Sequence, residues 1–292
     1  MLSFNKIDAI YTKQCAGEIA VSNYKRIISI HGAPRSGTSW LGQLFDSSPN
    51  VMYKFQPLFS YAFKDFLSLN SNYQDIKHFY DSLYHFEDDF LDQLDKKSSG
   101  KYPIFQRKLI EPEFLVLKMV RYHYLIPYLT SMEKKLKIVA IVRNPCGVLN
   151  SWRKAPREFL PHWDFENEWL FAPAKNQFKP EEYYGYHRWK ELAKLFLYME
   201  SNFKDSIRII QYEDLVRDPL KTIEDVYHFC GLDISNQTLK FIKSSTSSYQ
   251  EDAYSVYKGN KNISDWQSEL PEAVQNYIYK DIKGTDIERF WK

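Results

Sequence analysis

Apolar positions along the chain fall into short runs separated by stretches with helical spacing. Arg26-Ile27-Ile28-Ser29-Ile30 is an apolar run that stops at Gly32, which predicts a strand buried on both faces. Trp40, Leu41, Leu44 and Phe45 then recur at helical spacing until Ser-Ser-Pro at 47–49 breaks the pattern. Phe114 to Val120 predicts a second strand. Lys137 to Val142 predicts the clearest one, with Asn144-Pro145 after it as N-cap and first-turn proline. Pro180 to Phe203 carries a long helical period, and Ile207 to Ile210 reads as a further strand. Asp218-Pro219 opens a helix with Leu220, Ile223, Val226 and Tyr227 on one face, closed by Gly231. DKKSSGKYP (95–103) and SSTSSYQ (244–250) are the best loop candidates. Strands separated by helices imply an α/β fold with a central parallel sheet and helices on both faces. Ligands in such folds bind beyond the carboxyl ends of the strands, and segments 31–39 and 143–151 both leave strands at that end.

Composition narrows the picture. With 292 residues, 44% of them hydrophobic, the chain can bury a sizeable core, and a single domain over 1–292 is the expectation. The net charge of +2 argues against bulk nucleic-acid binding and leaves room for a local basic pocket. Cys15, Cys146 and Cys230 lie far apart without a CxxC pair, which argues against a zinc site or a disulfide framework and fits a reducing compartment. No apolar run reaches the ~18 residues of a membrane span. The N-terminus MLSFNKIDAIYTK lacks a signal-peptide core, so a cytoplasmic protein without a membrane segment is expected.

The chemistry concentrates in HGAPRSGTSW, residues 31–40. Gly32 and Gly37 bracket a strand-to-helix turn whose backbone N–H groups can approach an anion. Thr38 and Ser39 add hydroxyls and Arg35 a cationic fork. The spacing matches G-x-x-x-x-G-K-[ST], except that Thr38 stands in the place of the lysine. A nucleoside triphosphatase needs that lysine and a Mg²⁺-binding acid at a second strand end, and neither is evident. An ordinary glycine turn is the plain alternative. IVRNPCGVLNSW places Arg143 at the end of a buried strand and Ser151 eight residues on. Alone, Arg143 reads equally well as a structural ion-pair partner. With the first loop, it suggests a ligand with two separated anionic groups.

PRSGTSWL followed by VRNPCGVLNS resembles the sulfotransferases that use 3′-phosphoadenosine 5′-phosphosulfate, with HGAPRSGTSWLGQLFDSSPNVMYKFQPLF similar to the opening of the carbohydrate and tyrosyl-protein branches. YEDLVRDPLKTIEDVYHFCGL (212–232) and YKGNKNISDW (257–266) are similar to later family segments, so the likeness runs from about residue 25 to about 270. The resemblance implies a P-loop-like three-layer sandwich. It implies that Ser36, Gly37, Thr38, Ser39 and Trp40 hold the 5′-phosphate, with Arg35 as the basic catalytic residue on the bridging oxygen. Arg143 and Ser151 would hold the 3′-phosphate, with Lys258 and Gly259 touching it from above. The product would be adenosine 3′,5′-bisphosphate, with no metal required. Trp266 is either a core residue or part of this closing loop, and Glu213 and Asp214 read as braces of the sheet.

The general base departs from the family pattern. A glutamate is expected where YKFQPLF has Gln56, and an amide can hydrogen-bond a substrate hydroxyl but cannot take its proton. KMVRYH places Lys118 and His123, at a shifted spacing, in the region where another branch carries Lys-x-His, so both become catalytic candidates beside the weaker His31, Asp164 and Glu166. A helical insert from about residue 57 to about 100 and the aromatic stretch 162–173 are expected to shape the acceptor pocket, with a carbohydrate hydroxyl the expected acceptor and an amine the other option. A P-loop kinase or NTPase, and a catalytically silent nucleotide-binding relative, are the alternatives.

Overall fold

The computed structural model describes residues 23–248, 252–257 and 263–292. Five strands form one sheet: β1 (Arg26–His31), β2 (Val51–Phe55), β3 (Phe114–Met119), β4 (Leu136–Val142) and β5 (Ile207–Gln211). Their order is β2-β3-β1-β4-β5, and every pairing is parallel, with Ile28 level with Val116 on β3 and Lys137 on β4. The longer helices are α1 (Thr38–Asp46), α2 (Tyr73–His85), α3 (Pro145–Arg153), α4 (Tyr186–Asn202), α5 (Pro219–Cys230), α6 (Asn236–Ser247) and α7 (Glu272–Ile282).

Side chains alternate across the sheet because successive Cβ atoms point to opposite faces. Ile27, Leu115, Leu117, Ile138 and Ala140 join a core with α2, α3, α4 and α7, while Ile28, Ile30, Val116, Val139 and Ile141 join one with α1, α5 and α6. Helices therefore cover both faces, which is why the strands read as continuous apolar runs.

Local chemistry sets the boundaries. The Asn144 side chain accepts from the Cys146 N–H ahead of Pro145, and the Asp218 side chain accepts from the Lys221 N–H ahead of α5. Gly231 ends α5 in the left-handed region, φ 73°. Four elements differ from the sequence expectation. VMYKF forms β2, an edge strand. The helix expected from Pro180 begins only at Tyr186, because Gly185 at φ 83° turns the chain there. Within 57–100 only α2 is a full helix, with a short helix at Leu94–Ser98 that runs into the expected 95–103 loop. Residues 244–247 lie in α6, where the Ser244, Ser245, Thr246 and Ser247 hydroxyls bond carbonyls three or four residues back. No helix among the described residues is long and apolar enough to cross a membrane.

Candidate active site

The chain order reverses around β1: it leaves to β2 and β3 on one side and crosses to β4 and β5 on the other. A cleft of about 960 Å³ opens beyond the carboxyl ends of the strands there. Segments following all five strands line it. Among the described residues, eight cationic side chains face it: Arg35, Lys96, Lys118, Arg121, Arg143, Lys154, Arg157 and Lys175. Two carboxylates do so, Glu158 and Asp265. The near-neutral chain thus concentrates positive charge where the sheet presents ligands.

The turn after β1 is shaped for an anion. Gly37 sits at φ 92°, and a Cβ there would lie 2.5 Å from the Tyr212 ring. A Cβ on Gly32 would lie 2.7 Å from the Ile141 carbonyl, so the turn nestles against β4. No side chain caps α1, which leaves its first-turn N–H groups and positive dipole end directed at the cleft. Ser36 is fully buried and its Oγ has no hydrogen-bond partner. Thr38, Ser39 and Trp40 line the cleft, and the Trp40 indole donates to the Ser245 hydroxyl at 3.1 Å.

Arg35 and the β4 loop meet directly. Arg35 adopts φ 72°, a strained conformation for a residue with a side chain. Its Nε donates to Ser151 Oγ at 3.3 Å, one terminal nitrogen pairs with Glu158 at 3.4 Å, and the other donates to the Ala253 carbonyl at 2.7 Å. Arg143 donates to the Arg35 carbonyl at 3.1 Å and lies 4.6 Å from the Tyr212 ring centroid, while its Nε has no partner. Gly147 makes room for it, since a Cβ there would come within 2.9 Å of that nitrogen. Glu213, buried and with its carboxyl raised by burial, accepts from the Asn144 N–H at 2.9 Å and so ties the β4 loop to the start of the helix after β5. Asp214 pairs with Lys292 and Arg217.

On the β2–β3 side, Gln56 stands in the left-handed region at φ 46° with its side-chain oxygen accepting from Arg121 at 2.9 Å. Arg121 also pairs with Glu182 at 2.7 Å and covers the Phe59 ring. Lys118 lines the cleft 4.6 Å from the Phe55 ring centroid, with no ion pair among the described residues. Burial, helped by Lys96, Arg121 and Arg35 nearby and opposed by Glu158, pulls its ammonium pKa down to about 7.

His123 lies elsewhere. It is fully buried in the helix-covered core, with its ring 4.5 Å from Tyr183 and Nδ1 2.9 Å from His31 Nδ1. Burial holds both imidazoles neutral, His31 at about 3. Neither lines the cleft: Lys118 on β3 and Arg121 after it face the cleft, while His123 turns into the core against His31. Asp164 caps a short helix through the Glu166 N–H, and neither residue lines the cleft. Trp266 lines it while packing 5.4 Å from Trp291. Lys258 and Gly259 fall outside the described residues. Sequence reasoning missed Glu158 and Tyr184, whose hydroxyl donates to Glu158 at 3.2 Å; both come from irregular segments without a period to mark them. No group of three or more His, Cys, Asp or Glu side chains among the described residues is placed to hold a metal ion.

A model of a family described as the sulfotransferase family matches residues 28–236. Carbohydrate sulfotransferase 3 of Homo sapiens is 22% identical, the match covering 86% of this chain and 64% of the relative. Carbohydrate sulfotransferase 5 of Mus musculus is 30% identical over a match covering 45% and 35%. The chain thus spans less than two thirds of the length of these relatives. Mouse sulfotransferase SULT7A1, solved complexed with PAP, shares the fold with a TM-score of 0.52 at 15% identity, covering 93% of this chain and 88% of that one. The chain belongs to the sulfotransferase family.

Proposed function

We propose that this member of the sulfotransferase family moves a sulfuryl group from 3′-phosphoadenosine 5′-phosphosulfate to a hydroxyl of a carbohydrate acceptor. One observation carries the reading: an uncapped glycine turn and an arginine–serine pair face one cleft, with Arg35 bonded to Ser151 and Arg143 bonded to Arg35. The uncapped α1 N-terminus and the space kept free at Gly37, with Arg143 and Ser151 lining the same cleft, fit a ligand with phosphates at two ends. The names of the curated relatives support the carbohydrate acceptor.

The donor supplies the sulfuryl group, and the residues align it and take up charge. The α1 N-terminus with Thr38 and Ser39 would hold the 5′-phosphate, and Arg143 with Ser151 the 3′-phosphate. Arg35 would neutralise charge on the oxygen released as the S–O bond to the 5′-phosphate breaks. Lys118, made cationic by an arriving polyanion, would hold the sulfuryl oxygens. As the acceptor oxygen bonds to sulfur its proton needs a base, and Gln56 cannot serve. Glu158 fits the role: it is the cleft carboxylate beside Arg35, and a phosphosulfate taking over Arg35 would release it.

Transfer of radiolabelled sulfate to an oligosaccharide panel tests this. Wild type should label a glycan, and Glu158→Gln should lose roughly 10²–10⁴ in turnover while adenosine 3′,5′-bisphosphate still raises its melting temperature. Full turnover in Glu158→Gln would remove it as the base.

A further inference from the structure

We infer that Gln56 selects oxygen over nitrogen as the sulfated atom, by presenting an amide N–H that a hydroxyl accepts during transfer and an amine does not, with Arg121 as the positioning residue that sets the amide's orientation. This rests on the sulfuryl-transfer reading. Gln56 directly follows β2 at the carboxyl end of the sheet and lines the cleft. Its backbone N–H donates to the Lys118 carbonyl at 2.9 Å, so it stands next to the proposed sulfuryl contact. At φ 46° and ψ 58° its backbone is in the left-handed region, a strained conformation for a residue with a side chain, which persists where the surroundings impose it.

The side chain is fixed as firmly as the backbone. A guanidinium has donors and no acceptor, so the Gln56 atom 2.9 Å from Arg121 must be the carbonyl oxygen. Arg121 is held in turn by Glu182 at 2.7 Å and by the Phe59 ring, whose centroid lies 4.0 Å away, and both members of that ion pair are buried. Turning the amide over would set its N–H against those of Arg121. The Gln56 amide nitrogen makes no hydrogen bond among the described residues, so it is the donor left for a ligand. Valence then decides which acceptor fits. A hydroxyl oxygen has two lone pairs and one hydrogen. In transfer one pair forms the bond to sulfur, the S–O bond to the 5′-phosphate breaks with its electron pair leaving on that phosphate, and the hydrogen passes to the base. The second lone pair accepts from Gln56 throughout. An amine nitrogen has a single lone pair, which sulfur takes, so its hydrogens are left facing a donor. The site therefore carries a repulsive element against nitrogen as well as an attractive one for oxygen.

Oligosaccharides that carry free hydroxyls and free amines together test this: a chitosan oligomer and de-N-acetylated oligomers of heparosan and chondroitin, each given labelled donor at a pH that leaves the amines largely neutral. Nitrous acid releases sulfate from nitrogen and leaves sulfate esters, so one digest gives the oxygen-to-nitrogen ratio of the label. Wild type should place at least about tenfold more label on oxygen, the size of one hydrogen bond made against one refused. Gln56→Glu, which turns the donor into an acceptor, should shrink that ratio by about tenfold. Arg121→Met combined with Glu182→Met removes the buried pair together and frees the amide to turn, so it should shrink the ratio as well. Both variants should keep the gain in melting temperature from adenosine 3′,5′-bisphosphate; if the double variant does not fold, Gln56→Glu decides. A purely structural Gln56 would lower both labels together. An unchanged ratio in folded Gln56→Glu, or wild-type label mainly on nitrogen, overturns the inference alone. Label on no acceptor, with bisphosphate still stabilising the protein, overturns the transfer reading and the inference with it.

Discussion

Replacing Gly37 by alanine should damage both stability and nucleotide binding, and the structure gives the size of the effect. The residue sits at φ 92°, where a side chain costs roughly 1–2 kcal/mol. The added Cβ would lie 2.5 and 2.8 Å from two carbons of the Tyr212 ring, an overpacking worth roughly 1–3 kcal/mol more. Together these predict a loss of about 2–5 kcal/mol, or a melting temperature lower by about 4–10 °C at about 2 °C per kcal/mol for a chain of this size. Gly231 is the internal control. It also has positive φ, 73°, but a Cβ there meets nothing within 4 Å, so Gly231→Ala should cost only about 1 kcal/mol. Calorimetry of the two variants, with and without adenosine 3′,5′-bisphosphate, separates backbone strain from the ligand cradle. Gly231→Ala should keep wild-type affinity, and Gly37→Ala should lose at least about tenfold as Tyr212 and the turn shift. If the two melt together and bind alike, the reading of this turn as a fitted phosphate cradle is wrong.

Three further outcomes follow. Lys118, at about pKa 7 in the free protein, should be pushed upward by a bound polyanion. The complex then holds more protons than the free protein above about pH 7, so bisphosphate binding takes up protons at pH 8 and weakens as pH rises, a dependence that isothermal calorimetry in buffers of different ionisation heat should find missing in Lys118→Met. Arg35→Ala should cost roughly 10²–10³ in turnover, measured by labelled sulfate transfer. Asp92→Ala should destabilise by about 3 kcal/mol or more in denaturant titration, because it strips the ion pair, 2.8 Å, from the buried Lys54 ammonium; adding Lys54→Met should recover part of the loss.

The sheet was largely legible because buried parallel strands must be apolar on both faces, as β1, β3 and β4 largely are, and the edge strand β5 keeps a short isoleucine run. Strand β2 was hidden by Lys54 in VMYKF, a charge that enters the core only because Asp92 and the Phe86 carbonyl receive it, two partners more than thirty residues away. The serine-rich end of α6 looked like a loop because its hydroxyls bond back to the helix, which composition does not reveal. The proposed nucleotide side of the cleft was readable since the loops after β1 and β4 each carry a glycine and an arginine in sequence, the second with the Asn144 cap as well. The proposed acceptor side was read only at Gln56 and Lys118: Lys96, Arg121, Glu158 and Lys175 come from separate segments, and only the fold assembles them. His123 misled because KMVRYH fixes which residues follow β3 but not which way each side chain turns.

Binding selectivity for the second phosphate tests the central claim most directly. Isothermal titration of adenosine 3′,5′-bisphosphate against AMP and ATP should show wild type preferring the bisphosphate by at least about tenfold, the worth of one charge-assisted contact. Arg143→Ala should bring bisphosphate and AMP to similar affinities. Equal affinity for bisphosphate and AMP in wild type, or an undiminished preference in Arg143→Ala, would contradict the account.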